Sequence, residues 1–470
     1  MSIIQLAILI IFAIILGQLK KARPLALLGV SAFVIYWLQP PQALANMTFW
    51  FPTATLAVIV LAWSLTASAE ARSWKRNWQA ILVLITVILF VDMNRYFQIE
   101  QIFITTTPRV QWAGAAILIL AAIVMLISRF GKFQHLYLTF AIICLVAMLV
   151  IIKIPLALEK LIGVILAFRG DEARDVVPLS WLGFSYISFR ILHTILDRKA
   201  GRLSSGALAE YVNFIIFFPS ITAGPIARYE YFSNELNSLQ VLNRQGWAVA
   251  GERIFVGMFK KFVLADALAW ISLNDVFARQ IQSSGWMWIF LYAYSLRIYF
   301  DFSGYTDIAI GLGKLMGIRL PENFNTPYLK SNLTQFWNSW HMTLTQWFRA
   351  YYFNPLTRSL RSSKHLLPQL LIIFAAQVSA MVLIGLWHGV TESFVLWGLW
   401  HGFGLFVQNR WSDFARTRMH GLGQVGIGQL VFKFTGVFLT FNFVSLGWLF
   451  FILPTPALAW QAALKLFGIM

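Results

Sequence analysis

The sequence predicts an all-α integral membrane protein that crosses the bilayer many times. Of its 470 residues, 59% are hydrophobic and only 12% are charged, and the mean hydropathy is +0.69. A soluble domain carries about a quarter charged residues. Because the apolar runs recur from end to end with no long polar linker, we expect one membrane-embedded unit instead of several soluble domains.

The apolar runs give the expected membrane spans. A spanning helix needs about 20 mostly apolar residues, so we expect roughly 11–13 transmembrane helices together with re-entrant or interfacial helices. The first segment has no basic residues before it, so we interpret it as an uncleaved helix and not a signal peptide. The candidate segments are 2–18, 24–38, 48–66, 78–94, 111–128, 134–152, 178–196, 208–223, 252–272, 285–310, 366–386, 391–408 and 430–452.

Basic residues account for the net charge of +18 and predict the topology. They occur in short clusters between apolar runs, which is typical of cytoplasmic loops under the positive-inside rule. We therefore expect the N-terminus outside and Lys20, Arg72 and Arg198 on the cytoplasmic side. Clusters of this kind do not indicate a nucleic-acid partner.

Two stretches do not fit lipid-facing helices. Phe217-Phe218-Pro219 and Ala223-Gly224-Pro225-Ile226 would break a helix, and irregular backbone at membrane depth must be buried or line a wet cavity. Residues 321–358 are too polar to span and too rich in tryptophan for a free loop. Both stretches predict re-entrant or interfacial elements around a cavity, whereas 153–177 predicts an interfacial helix and an external loop.

Several kinds of chemistry lack their sequence signatures. The chain has no Walker loop and no GxSxG elbow, and no two histidines stand at i, i+4 spacing for a metal. Cys144 is the single cysteine, which excludes a disulfide within one chain, and we expect it to be a small buried hydrophobe. No metal and no bound cofactor are predicted, and a covalent serine or cysteine intermediate is poorly supported. Histidine is then the plausible general base.

His388 and His341 are the candidate catalytic histidines. His388 ends an apolar run and precedes Gly389, so a substrate could approach it closely, although a histidine on an apolar face is more often structural. His341 lies in Phe336-Trp337-Asn338-Ser339-Trp340-His341, which fits a pocket wall or an aromatic belt at the membrane interface. We interpret His135, His193 and His401 as structural, with His401 serving helix packing.

Four blocks of residues, in this order, resemble the membrane-bound O-acyltransferase family, in its bacterial branch of alginate O-acetylation proteins and D-alanyl-teichoic-acid transferases. They are Pro178–Phe189 with Asp197; Phe217–Pro219 with Ala223–Ile226; Tyr299–Asp307; and Phe336–Arg349 followed by Gly385–Gly389, Leu396–Gly398 and His401-Gly402.

The resemblance implies a fold, a reaction and a set of site residues. The core would be 178–452, after N-terminal transmembrane helices in 1–152 and before an apolar tail in 453–470, with a central funnel. His388 would be the catalytic base and His341 the second active-site histidine, with a donor near His341 polarising the thioester carbonyl. The residues expected to bind substrate are Asp301, Ser303, Trp337, Trp340, Arg349 and Trp387.

The implied activity is O-acyl transfer, with acetyl expected, from a cytosolic acyl-CoA or acyl carrier protein to a hydroxyl of an extracytoplasmic cell-envelope polysaccharide. The implied partners are membrane lipid, that polysaccharide, and a periplasmic acetylation partner or the carrier protein, at the bacterial cytoplasmic membrane. D-Alanyl transfer to a teichoic-acid-type polymer is the alternative within this class. A transporter with broken helices is the alternative from another class, although no symmetry between two halves is visible.

The sequence departs from the family pattern after Arg349. Ala350 stands where the family usually has aspartate, so the carboxylate that could fix Arg349 is missing. Ile452 also replaces an arginine after Gly447–Phe451. These differences leave the identity of the acceptor open.

Overall fold

The structure is a computed structural model of the whole chain. It describes residues 2–42, 44, 46–97, 107–129, 134–154, 157–160, 162–164, 180–238, 242–362, 367–418 and 427–469. The predicted interfacial helix and external loop over 153–177 fall mostly outside these residues.

All regular structure in the described ranges is helical, as the sequence predicts. The helices are α1 (Ile3–Gln18), α2 (Arg23–Trp37), α3 (Met47–Thr66), α4 (Trp74–Asp92), α5 (Asn94–Phe97), α6 (Val110–Arg129), α7 (Gln134–Lys153), α8 (Phe184–Lys199), α9 (Leu208–Ile216), α10 (Tyr229–Asn237), α11 (Arg244–Phe259), α12 (Asp266–Ala269), α13 (Asp275–Gln280), α14 (Ser284–Leu315), α15 (Leu333–Trp337), α16 (Met342–Phe348), α17 (Asn354–Arg361), α18 (Gln369–His388), α19 (Glu392–Arg418), α20 (Ile427–Ile452) and α21 (Pro456–Leu466).

Six helical segments of the described chain are long and apolar enough to cross a membrane. They coincide closely with predicted segments and are Met47–Thr66, Trp74–Phe97, Val110–Ile127, His135–Lys153, Gln369–His388 and Gly428–Ile452. Three shorter apolar helical segments start at Ile3, Arg23 and Leu208. Cys144 is exposed on α7, so the expectation that it is buried is wrong. The exposure follows from α7 itself, because only 11% of its apolar window is buried inside the protein.

The chain divides into two compact units. The first unit contains Met1–Ile254 and Ala309–Leu320, and the second contains Phe255–Ile308 and Pro321–Met470. The second unit holds every residue that the sequence analysis proposed for the active site.

In the first unit, a buried arginine supports the predicted helix break. α9 ends at Ile216, and a single 3₁₀ turn, Phe218–Ser220, follows it. The guanidinium of Arg190, 2% exposed, donates to the carbonyl of Ile215 at 2.7 Å and to the carbonyl and hydroxyl of Ser220 at 2.8 and 2.7 Å. The irregular backbone is therefore buried in protein and satisfied by a charged donor, as its place in an apolar run requires.

In the second unit, a π-helical turn forms where two glycines meet. Lys260–Ala265 is π-helical and directly follows α11. A Cβ built on Gly257 would lie 2.7 Å from the carbonyl oxygen of Gly304 on α14, and one on Gly304 would lie 2.7 Å from that of Gly257. The backbones can approach this closely only because both residues lack a side chain.

Two lysines of the π-helical turn pair with aspartates of α14. Lys260 Nζ donates to Asp307 at 2.6 Å, and Lys261 Nζ donates to Asp301. Asp301 was expected to bind substrate, and its carboxylate already has a cationic partner within the protein. The ion pairs fix the register of α14, which carries Phe302 toward the candidate site.

Candidate active site

The segment 321–358 forms short helical pieces that place His341. A 3₁₀ turn, Pro327–Leu329, precedes α15 and α16, and π-helical Arg349–Phe353 leads into α17. His341 is the N-cap of α16 and has φ 43° and ψ 52°, in the left-handed region. That conformation costs a non-glycine residue roughly 1–2 kcal/mol, and strained residues of this kind cluster at functional sites.

Asn323 fixes the orientation and the tautomer of His341. The Asn323 side-chain oxygen accepts from the backbone N–H of Thr343 at 3.1 Å and lies 3.1 Å from His341 Nδ1. Because this oxygen is an acceptor, Nδ1 carries the proton in that contact, and the lone pair of the neutral ring is on Nε2. Burial, and to a smaller extent the charge of His388, lowers the pKa of His341 to about 3. His341 is therefore neutral at physiological pH.

His388 ends α18 inside a box of aromatic rings. Its imidazole lies 4.6 Å from the ring of Trp387, 4.9 Å from Phe451, 5.8 Å from Trp397 and 6.0 Å from Phe394, between ring centroids. α18 does not continue past His388, since α19 begins at Glu392 and Gly389 between them is extended. The helix therefore ends at the residue that carries the imidazole.

Glycines bring α18 and α19 together around His388. A Cβ on Gly398 would lie 2.5 Å from Val382 Cα, one on Gly402 would lie 2.8 Å from Val378 Cα, and one on Gly385 would collide with the Phe394 carbonyl. The two helices thus pack backbone to backbone, and His388 is held at their junction.

Trp387 lies between the two candidate histidines. Its ring centroid is 6.3 Å from that of His341 and 4.6 Å from that of His388. The ring of Phe302 also packs edge-on against His341, at 4.7 Å between ring centroids. The structure therefore brings His341, His388 and Trp387 into one cluster, and their roles in catalysis stay predictions.

A cavity of about 170 Å³ lies beside α18 in the second unit. Trp337, Asn338, Arg349 and Gln377 line it, and it reaches Ile384, one helical turn before His388. Arg349 donates to the Asn338 side-chain oxygen at 2.7 Å. The partner of Arg349, which the sequence left open after the loss of an aspartate at 350, is thus a neutral amide that leaves the positive charge in place.

Two buried polar atoms of the cavity wall have no hydrogen-bond partner among the described residues. They are Nε1 of Trp337 and Oε1 of Gln377, one donor and one acceptor. Buried polar groups are almost always paired with protein or water, so each of these atoms has room in its hydrogen bonding for a water or a ligand group. Gln377 has no sequence signal beyond being a polar residue within an apolar run.

Of the residues predicted for the site, Trp337 and Arg349 line the cavity, and His341, His388, Trp387, Asp301, Ser303 and Trp340 do not. Trp340 is 5% exposed and packs on Phe336, Phe324 and Trp448 with centroid distances of 5.7, 5.2 and 5.3 Å. Ser303 is 2% exposed on α14. Trp340 therefore serves the aromatic core under His341, and substrate contact by Asp301, Ser303 and Trp340 stays a prediction.

His401 lies in the same aromatic core. It is fully buried on α19, with ring centroids 4.8 Å from Trp397 and 5.1 Å from Trp337. Within the described part of the chain, neither of its ring nitrogens has a hydrogen-bond partner. A Cβ on Gly447 would lie 2.7 Å from His401 Nε2, so helix packing at small residues accounts for its position.

Outside this site, in the first unit, one group of side chains has the composition of a metal site. His193, Asp197 and Glu230 place ligand atoms within 4.8 Å of one another. His193 and Asp197 stand at i, i+4 on α8, and their side chains are 3.1 Å apart. Only two histidines at this spacing were looked for in the sequence, so a pair of one histidine and one aspartate was not found. Arg202 lies 2.8 Å from Asp197 and supplies a positive charge, so the geometry is that of an ion-pair network whose arginine is exposed. The absence of a metal stays a prediction.

Comparison with known proteins gives consistent matches. The family model of the membrane-bound O-acyltransferase (MBOAT) family matches residues 47–450, starting well before the core predicted from motifs. A teichoic acid D-alanyltransferase of Streptococcus thermophilus is 32% identical, over 58% of this chain and 68% of that protein. The probable alginate O-acetylase AlgI of Pseudomonas aeruginosa is 32% identical, over 60% of this chain and 50% of that protein. A peptidoglycan O-acetyltransferase of Helicobacter pylori is 34% identical, over 55% and 46%.

Proposed function

The chain belongs to the membrane-bound O-acyltransferase family, and from this premise we propose that it transfers an acetyl group from a cytosolic thioester to a hydroxyl of an extracytoplasmic cell-envelope polysaccharide. The observation that carries the proposal is the cluster of His341, Trp387 and His388 in the second unit, together with a cavity whose wall includes Ile384, one helical turn before His388. The protein would act in the cytoplasmic membrane of a bacterium.

The proposed reaction needs one base and no covalent enzyme intermediate. His388 takes the proton of the acceptor hydroxyl as its oxygen attacks the thioester carbonyl. The new C–O bond forms, the C–S bond breaks, and the thiol leaves with the proton that the imidazolium returns. His341, neutral and with its Nδ1 proton directed at Asn323, offers a hydrogen-bond acceptor at Nε2, so it orients a substrate N–H or O–H and does not polarise the carbonyl.

The cavity suits the arm of a phosphopantetheine thioester. Such an arm, present in coenzyme A and in acyl carrier proteins, carries amides that supply both an N–H and a C=O. Those groups match the acceptor Oε1 of Gln377 and the donor Nε1 of Trp337. Arg349, next to neutral Asn338, would hold the phosphate of the arm, since guanidinium and phosphate form strong charge-assisted hydrogen bonds.

D-Alanyl transfer to a teichoic-acid-type polymer is the second candidate. It is favoured by the similarity to the D-alanyltransferase of S. thermophilus, whose identity equals that of the alginate O-acetylase. A periplasmic acetylation partner would accompany the first reaction, and an acyl carrier protein would supply the second.

We expect purified protein in lipid nanodiscs to form an ester on a polysaccharide acceptor when acetyl-coenzyme A is supplied. Mass spectrometry of the glycan after incubation, with hydroxylamine to cleave esters, measures the product. D-Alanyl ester formed only from a D-alanyl-loaded carrier protein would establish the second candidate. Ester formation from neither thioester, across alginate, peptidoglycan and teichoic-acid fragments, would reject acyl transfer to envelope glycans.

Replacing Arg349 with glutamine should raise the KM for the thioester donor. Losing one charge-assisted hydrogen bond costs about tenfold in affinity, whereas kcat should change little because Arg349 does not contact the histidines. The matched control is Arg358→Gln, which removes an equally exposed guanidinium from α17 outside the cavity. Steady-state kinetics on both variants measure the split. Equal KM values for the two variants would show that Arg349 does not bind the thioester donor.

A further inference from the structure

A second cavity, of about 650 Å³, lies in the first unit, remote in sequence from the candidate active site. Its walls come from the start of α3, from α5 and from the start of α6. Arg95 and Arg109 both line it. Among the described residues that line the cavity, none is acidic. Two guanidinium groups that share one cavity create a positive potential that favours an anion.

The two arginines stand at the ends of membrane spans. Arg95 lies near the end of the span Trp74–Phe97, and Arg109 immediately precedes the span Val110–Ile127. Arg95 Nη1 donates to the carbonyl oxygen of Thr107 at 2.9 Å, which fixes the position of the guanidinium. Asp92, whose charge interacts with that of Arg95, is fully buried and does not line the cavity.

The rest of the cavity wall is an apolar stripe along α6. Trp112, Ala115, Ala116 and Ile119 stand at i, i+3, i+4 and i+7, so they share one face of the helix. Trp112 is 60% exposed and Ile119 is 61% exposed, so this face is open at the lipid-facing surface of the protein. The alanines leave room beside the larger side chains, and the stripe runs about 10 Å along the helix axis at 1.5 Å per residue.

We propose that this cavity binds an anionic phospholipid, with the phosphate between Arg95 and Arg109 and one acyl chain along the α6 stripe. A soluble anion would use only the guanidinium groups, whereas a phospholipid uses both the charge and the apolar stripe that continues from it into the span. Trp50 and Trp112 also line the cavity, and indole rings favour the headgroup region of a bilayer. This site is independent of the proposed acyl transfer.

Native mass spectrometry of delipidated protein, titrated with phosphatidylglycerol or phosphatidylcholine, tests the proposal. We expect a phosphatidylglycerol adduct that the double variant Arg95→Gln, Arg109→Gln weakens by about tenfold for each lost charge-assisted contact. The matched control, Lys75→Gln with Arg76→Gln, removes the same charge from the other end of the span Trp74–Phe97 and should retain the adduct. Equal losses in both double variants would mean unspecific charge attraction and would overturn the site.

The apolar half of the site has its own variant. Ala115→Phe keeps every charge but fills the space proposed for the lipid acyl chain, so it should also weaken the phosphatidylglycerol adduct. Glycerol 1-phosphate, which has the headgroup charge without chains, should not displace phosphatidylglycerol from wild-type protein at equal concentration. An unchanged adduct in Ala115→Phe, or displacement of phosphatidylglycerol by glycerol 1-phosphate, would contradict lipid binding. Either result would indicate that the cavity binds a soluble phosphate. Melting temperatures close to wild type for all variants establish that they are folded.

Discussion

Replacing His388 with alanine is expected to abolish measurable acyl transfer. A general base typically contributes about 10²–10⁴-fold to a rate, and loss of positioning adds to this. His388→Gln separates the two effects, because glutamine can accept a hydrogen bond from the hydroxyl but cannot take its proton at neutral pH. We expect both variants to be inserted normally and both to be inactive, measured as ester formed per enzyme in nanodiscs.

The aromatic box around His388 makes the comparison with glutamine informative. Phe394, Trp397 and Phe451 surround the imidazole, so a smaller side chain leaves a gap that destabilises the junction of α18 and α19. Glutamine restores most of the lost volume. The matched control is His135→Gln, on an exposed imidazole in the first turn of α7, which should retain full activity. Wild-type transfer by His388→Gln would show that no proton is taken by this residue.

The sequence predicts the spans far better than the site. Predicted segments 48–66, 111–128 and 134–152 differ by at most two residues from α3, α6 and α7, because apolar length alone defines a lipid-facing helix. The predicted segment 252–272 is wrong in detail, since it is divided among α11, the π-helical Lys260–Ala265 and α12. Local propensity contains no signal for that turn, which depends on a contact between glycines far apart in the chain.

The candidate site illustrates the same limit. His341 and His388 could be paired only through the resemblance to a family, because nothing local links residues so far apart in sequence. Asn323 was not identified from the sequence, because its contact with the His341 ring forms only in the folded chain. Arg349 was identified, but its partner was not, because its contact with Asn338 depends on how the chain turns between α15 and α16.

The geometry of His341 determines which substitutions are informative there. Its backbone is left-handed, a conformation that asparagine and glycine tolerate better than alanine. Its Nδ1 contacts Asn323, whose side-chain oxygen also accepts from Thr343. A change at 341 therefore affects both the imidazole and the turn that begins α16, and the two effects must be separated.

Replacing His341 with asparagine should lower kcat by about 10²-fold, because the hydrogen-bond acceptor at Nε2 is lost while the left-handed turn is retained. His341→Gly gives the same loss with a fully relaxed backbone, so agreement between the two variants assigns the effect to the imidazole. Asn323→Leu leaves the histidine in place but removes the acceptor that fixes its tautomer, and should cost less than either. Burial holds the pKa of His341 near 3, so this residue does not titrate between about pH 5 and 8. The variants should therefore keep the shape of the wild-type pH–activity profile over that range. Full activity in His341→Asn, measured by the same ester assay, would return His341 to a structural role in the aromatic core.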